Sequence, residues 1–150
     1  MIFSTLLHKI FGTPHQRKIK SLAPILRQIA AFREQFSQLD DAALAAKTAE
    51  FKARLNQGAS LEDIKAEAFA VCQEACDRRL GIFNVFDPQF GFDLTRLGPG
   101  LVEIAEIAKA EIQAGKPQHQ IYLPAAFYAK VRELYPESTW PFRMLPFEVQ

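Results

Sequence analysis

LDDAALAAKTAEFKARLNQGASLEDIKAEAFAVCQEACDRRLG, from Leu39 to Gly81, decides the fold class of this chain. Asp40 or Asp41 offers a carboxylate to the free amides at the start of a helix, in which Leu44, Thr48 through its methyl group, Phe51 and Leu55 follow one stripe. Gly58 then permits a left-handed exit. Ser60-Leu61-Glu62-Asp63 resembles a capping box with aspartate at the third helical position, and it opens a longer helix from Leu61 to Leu80. That helix is expected to bury Ile64, Ala68, Val71, Cys72, Ala75 and Leu80, and Gly81 ends it.

Upstream, Ile2, Phe3, Leu6, Leu7, Ile10 and Phe11 recur at helical spacing, which predicts a short amphipathic helix stopped by Gly12 and Pro14. A basic stretch of His15, Arg17, Lys18 and Lys20 follows. Ser21 and Pro24 suit the first turn of the next helix, whose face carries Ile25, Ile29, Phe32 and Phe36.

Downstream, Phe83, Val85, Phe86, Phe90 and Phe92 lack a helical period, so residues 82–98 read as an irregular or extended connection. Pro99 starts a helix with Leu101, Ile104, Ala105, Ala108 and Ile112 on one face, and Gly115 stops it. His119 to Leu123 reads as a short strand, and Pro124 opens a last helix through Leu134. The tail from Tyr135 to Gln150, with Pro136, Pro141 and Pro146 beside Trp140, Phe142 and Phe147, reads as extended and held by its aromatics. The expected fold is mainly α, a small multi-helix domain with short extended segments in the C-terminal half. Residues 1–81 form its helical front and 82–150 a divergent second part packed with it.

At 150 residues the chain has room for one modest core. Its 18 basic and 17 acidic residues leave a net charge of +1, which provides no bulk field towards nucleic acid or anionic lipid. Cys72 and Cys76, the two cysteines, fit neither a disulfide framework nor a zinc site and read as reduced core thiols. No apolar run reaches the roughly 18 residues of a membrane span, and Met1 to Gly12 lacks the marks of a signal peptide. A cytoplasmic protein, peripheral on the inner membrane at most, is expected.

The order Leu39-Asp40-Asp41, Lys47-Thr48-Ala49-Glu50-Phe51-Lys52-Ala53-Arg54-Leu55, Glu67-Ala68-Phe69-Ala70-Val71 and Phe86-Asp87-Pro88-Gln89 resembles the front of SecA, the ATPase of bacterial preprotein export. The resemblance begins at Leu6-Leu7-His8-Lys9-Ile10-Phe11-Gly12 with Arg17 and runs to Gln89. It implies that Gln89 stands where the family's glutamine helps recognise adenine, a task suited to an amide that both donates and accepts. The family's Gly-Met-Arg-His-Phe-Asp lead-in is altered here to Gly81-Ile82-Phe83-Asn84-Val85-Phe86-Asp87, one residue longer and without the arginine.

Holding nucleotide phosphates takes glycines, a lysine and a hydroxyl in the pattern G-x-x-x-x-G-K-[ST]. That pattern does not occur. Its nearest approach, Ala110 to Pro117, has Ala110 for the first glycine and Pro117 for the hydroxyl, and proline also removes an amide donor. Ile104-Ala105-Glu106 and Leu123-Pro124-Ala125-Ala126 are similar to the sequences that flank the family's phosphate loop, at a longer spacing. The sequence also stops short of the family's later acidic motif, so phosphoryl transfer is not expected.

The resemblance implies that Phe3, Leu6, Leu7, Lys9, Ile10 and Phe11, with Arg17, Lys18 and Lys20, meet anionic lipid or the translocation channel, as an apolar face beside basic residues can. The same face equally suits packing on the protein's own core. His8, His15 and His119 have no metal-ligand spacing and read as solvated. No serine or cysteine sits in a nucleophile elbow. Asp40-Asp41 and Glu62-Asp63 read as helix caps, and Arg78-Arg79 either face a phosphate or carboxylate partner or, as cations are favoured there, form a solvated helix end. Trp140 and Phe142 read either as partner anchors or as a cover for a core edge.

The functional expectation is a non-catalytic binding or regulatory module of preprotein export, without cofactor, metal or nucleic acid, whose partner is a protein of the export machinery, the ribosome or the inner-membrane lipid. The alternatives are an ATP-binding remnant or part of a split ATPase, with Gln89 at adenine and Lys116 at phosphate, and a repurposed interaction protein unrelated to export.

Overall fold

A computed structural model describes residues 14–137 and 140–145, without the side chains of residues 14–17 and 19. Among the described residues there are five α-helices and no strand: α1 Pro14–Phe36, α2 Asp41–Asn56, α3 Leu61–Cys76, α4 Pro99–Gln113 and α5 Ala125–Leu134. None of them is long and apolar enough to cross a membrane.

Helix α1 begins ten residues earlier than its proline suggests. Pro24 lies inside it, so the basic stretch from His15 to Lys20 belongs to its first turns. An interior proline removes one backbone donor and crowds the preceding turn. The helix continues because Ile29 and Phe36, with Ile25, Leu26 and Phe32, pack on Leu44, Ala66 and Ala70 of α2 and α3.

The signals around α2 and α3 act locally as the sequence indicates. The Asp40 carboxylate accepts from the Ala43 amide at 2.7 Å, and Gly58 exits with φ +98°. Ser60 and Asp63 close a reciprocal box, in which the Asp63 carboxylate accepts from the Ser60 amide at 2.8 Å and from its hydroxyl at 2.7 Å. The Arg54 guanidinium donates to both oxygens of Glu67, at 2.7 and 2.8 Å, tying α2 to α3.

The buried stripe of α3 differs from the expected one. Ile64 is buried, but Cys72 and Leu80 are exposed and Thr48 of α2 faces solvent. Cys76 is half-buried, so the core-thiol expectation fails for both cysteines. In their place Ala66, Ala70, Glu74, Asp77 and Arg78 turn inward. The helix also changes pitch: Asp77–Gly81 forms a π-helical turn, whose wider winding re-aims the side chains at its start.

Residues 82–97 form three 3₁₀ turns, Ile82–Phe86, Pro88–Phe90 and Leu94–Leu97, so the connection is irregular and not extended. Asp87 and Asp93 start the second and third by accepting from the amides two residues on. These turns place Ile82, Phe83, Val85, Phe86 and Leu97 in a second core with Phe127, Tyr128 and Val131 of α5.

The expected strand at His119–Leu123 is absent. Gln118–Gln120 is a 3₁₀ turn, after which Ile121 and Leu123 point inward and Tyr122 outward. The alternation is that of a strand, but the Leu123 amide donates to the Asp41 carboxylate at 3.0 Å instead of to a neighbouring strand.

Candidate functional site

The two apolar cores meet across a layer of charge that includes Asp41, Arg78 and Arg79, which the sequence reading placed at helix ends. Asp41 is the first residue of α2, and while Asp40 caps the helix the Asp41 carboxylate points into the protein. One oxygen accepts from Arg78 at 3.0 Å; the other accepts from Arg79 at 2.8 Å, Tyr128 at 2.7 Å and the Leu123 amide.

Arg78 is 1% exposed, which overturns its reading as a solvated helix end. Its Nε donates to Glu74 at 2.7 Å, its Nη2 donates to the carbonyls of both Phe36 and Leu39, and its Cζ lies 4.3 Å from the Tyr128 ring centroid. Buried charge is tolerated only when paired and fully hydrogen-bonded, and Arg78 meets that condition on every side. Arg79 bonds the carbonyls of Gln118 and Ile121, fixing the loop before α5.

Asp77 carries the layer to the tail. It accepts from Arg143 at 2.9 Å, from the Met144 amide at 3.1 Å and from Arg132 at 3.1 Å. Phe142 is buried against Phe90, Phe92 and Tyr135, whereas Trp140 is 62% exposed with its ring edge-to-face on Phe90. The tail therefore covers a core edge with one aromatic and leaves the other on the surface.

The other singled-out residues lie on separate elements. Gln89 is exposed on the Pro88–Phe90 turn, where its side-chain amide donates to Asp87 at 3.0 Å. Lys116 follows the end of α4, with Nζ 2.7 Å from Glu111. The amides of Ala114, Gly115 and Lys116 donate to the carbonyls of Ala110, Ile112 and Glu111 at 2.9, 2.9 and 3.0 Å. A phosphate cradle needs amides that point outward at a helix start; this turn closes a helix end, where the carbonyls concentrate negative charge.

Lys18 and Lys20 are exposed in the first turns of α1, and the backbone of Arg17 lies in the same turns. Phe3, Leu6, Leu7, Lys9, Ile10 and Phe11 lie outside the described residues, as do His8 and Phe147. His119 is exposed.

The family model for the SecA DEAD-like domain matches residues 7–129. The chain belongs to that family. It is 40% identical over 108 residues to the protein translocase subunit SecA of Caulobacter vibrioides, which covers 72% of this chain and 11% of that protein. Against the SecA subunit of Thermosynechococcus vestitus the identity is 39% over 111 residues, 74% of this chain and 11% of the relative. The Solibacter usitatus SecA is 37% identical over 115 residues, 77% and 11% of the two chains. The chain thus spans about a ninth of the length of these SecA relatives. No solved structure gives a significant match. The SecA match runs beyond Gln89, through α4 and the Gly115-Lys116 turn into α5, and takes in Ile104-Ala105-Glu106 and Leu123-Pro124-Ala125-Ala126.

Proposed function

We propose that this chain is a non-catalytic SecA-related protein that serves as a binding or regulatory module of preprotein export at the inner membrane face. The observation that carries the reading is the turn at Ala114–Lys116. It lies within the SecA match, yet its amides are engaged by carbonyls of α4, its lysine is paired with Glu111, and Pro117 has no amide to offer. Family membership without a phosphate cradle favours retained binding surfaces over retained hydrolysis.

The mechanism is competition. The apolar face of Phe3, Leu6, Leu7, Ile10 and Phe11, with Lys9, Arg17, Lys18 and Lys20, occupies lipid, channel or ribosome surfaces that a full-length SecA also uses. The basic cluster supports this, because Lys18 and Lys20 are exposed near the start of α1, where an anionic partner can reach them.

Flotation with liposomes containing anionic lipid, together with pulldown of translocation channel and ribosomes, tests the reading. Binding by the parent protein and its loss in Leu7→Asp and Phe11→Asp are expected. No binding by the parent, or unchanged binding by both variants, overturns it. Calorimetry with magnesium and ATP separates the split-ATPase alternative: the proposal expects no heat at millimolar nucleotide, whereas heat abolished by Gln89→Ala and Lys116→Ala would favour the alternative.

A further inference from the structure

Between α1, α3, α5 and the tail lies a cavity of about 260 Å³. Leu26, Ile29 and Ala30 of α1 give it an apolar wall. The remainder is polar, with Arg33 and Glu34 on α1, Ser37 after it, Gln73 and Glu74 on α3, Arg132 on α5 and Arg143 on the tail.

Two buried atoms on this lining have no hydrogen-bond partner, Arg33 Nε and Glu74 Oε2. Glu74 is 0% exposed, and its other oxygen accepts from Arg78 and Arg132, both at 2.7 Å. Buried polar atoms are nearly always partnered, so an orphan donor on α1 and an orphan acceptor on α3, both from residues that line this cavity, point to a ligand that supplies both. Arg132 and Arg143 are held by Glu74, Asp77 and the Tyr135 carbonyl. Arg33 is only 4.0 Å from Asp77 at its nearest and keeps its Nε to give.

Charge narrows the ligand. The layer and the cavity rim hold five guanidinium groups, Arg33, Arg78, Arg79, Arg132 and Arg143, against four carboxylates, Asp41, Glu34, Glu74 and Asp77. One positive charge is left over, which favours a monoanion. Sulfate lacks a donor for Glu74; hydrogen phosphate and bicarbonate carry an O–H but nothing to meet the apolar wall of Leu26, Ile29 and Ala30, and a free amino acid is neutral overall. The carboxyl-terminal residue of a peptide has one carboxylate, one amide N–H a single carbon away, and a side chain for the apolar wall.

We infer that this cavity binds the carboxyl-terminal residue of a polypeptide ending in an aliphatic side chain, with the carboxylate at Arg33 and the terminal amide N–H at Glu74. Titration of the ¹⁵N-labelled protein with N-acetyl-leucine tests this. Saturable shifts from Leu26 of α1 through Ser37, just beyond it, and in α3 at Gln73 and Glu74 are expected. 4-Methylpentanoate, without the N–H, and N-acetyl-leucinamide, without the charge, should each bind at least about tenfold more weakly.

Arg33→Gln should weaken N-acetyl-leucine by a similar factor. Ala30→Trp, which fills the cavity from an exposed helix position, should abolish the shifts while leaving the melting temperature unchanged. No saturable shift with N-acetyl-leucine overturns the inference. So does equal affinity for 4-methylpentanoate or inorganic phosphate, or an Arg33→Gln protein that binds as well as the parent.

Discussion

The hydroxyl of Tyr128 donates to Oδ2 of Asp41 across 2.7 Å, joining the first turn of α2 to α5 over 87 residues of chain. Asp41 thereby holds elements of both apolar cores. Its removal should be far more damaging than that of its neighbour Asp40. Asp41→Ala leaves Arg78 buried without one of its carboxylates and should destabilise by about 3–5 kcal/mol. Asp40→Ala, which removes only a helix cap, should destabilise by about 1 kcal/mol. Urea unfolding followed by circular dichroism measures both, and equal losses would contradict the ionic layer as the junction of the fold.

Tyr128 adds an alkaline limb to stability. Burial, reinforced by the Asp41 charge and the hydrogen bond to it, pushes its hydroxyl well above the ordinary tyrosine range. A folded-state pKa above the unfolded value near 10 means that the contribution is complete below about pH 10 and declines as pH rises beyond it. Stability measured between pH 8 and 11 should therefore fall more steeply in the parent than in Tyr128→Phe. The variant itself should lose about 1.5–3 kcal/mol at pH 7, the range for a hydrogen bond to a charged group.

At the other end of the pH scale the capping box of α3 supplies the corresponding signal. Hydrogen bonds from the Ser60 hydroxyl and then the Ser60 amide hold the Asp63 carboxyl below its usual range. With its folded pKa depressed, its contribution is present above about pH 4 and is lost as pH falls through the folded value. Carbon-detected titration should show Asp63 ionising below an ordinary aspartate. In Asp63→Asn the helicity lost between pH 5 and 2 should be smaller than in the parent.

What could be read from sequence was what is settled over three or four residues. The Asp40 cap, the Ser60-Asp63 box and the exits at Gly58 and Gly115 involve bonds between near neighbours, and each stands where its residue types put it. The ionic layer could not be read this way. Glu74, Asp77 and Arg78 resemble any charged helix face, and their partners come from 37 to 67 residues away, at Asp41, Arg132, Arg143 and Met144. The available hint was the displaced apolar pattern of α3, where Cys72 and Leu80 would have had to be buried for Arg78 to be outside. Similarly, Ile121 and Leu123 alternate like a strand, and only the Asp41 carboxylate, distant in sequence, reveals why no ladder is needed.

Gly81 tests how the tail is seated. A Cβ placed there would lie 2.5 Å from the Met144 nitrogen and 2.9 Å from the Arg143 carbonyl carbon, both backbone atoms that cannot swing aside. Gly81→Ala should therefore displace residues 143–144, break their bonds to Asp77 and withdraw Phe142 from the aromatic cluster. Limited proteolysis should show earlier cleavage after Arg143, and stability should drop by about 1–3 kcal/mol. Gly58→Ala is the control: its Cβ meets nothing within 4 Å, so the smaller loss expected there reflects only its positive φ, and the tail should stay protected.

Pro24 makes the opposite prediction, since it lies in α1 where another residue would do better. Its ring leaves the Lys20 carbonyl without the usual partner, and the Ser21 hydroxyl bonds the Lys18 carbonyl at 2.7 Å in the same turn. Pro24 is exposed, so replacing it removes no core contact. An interior proline is worth up to about 3 kcal/mol against helix formation relative to alanine, of which relaxation of the native helix recovers part. Pro24→Ala should raise the melting temperature and increase amide protection at residue 24 and its neighbours. Unchanged stability with reduced liposome or channel binding would instead mean that Pro24 serves the contact between the basic cluster and its partner. An unchanged result in both measurements would show that α1 begins only after Pro24 in solution.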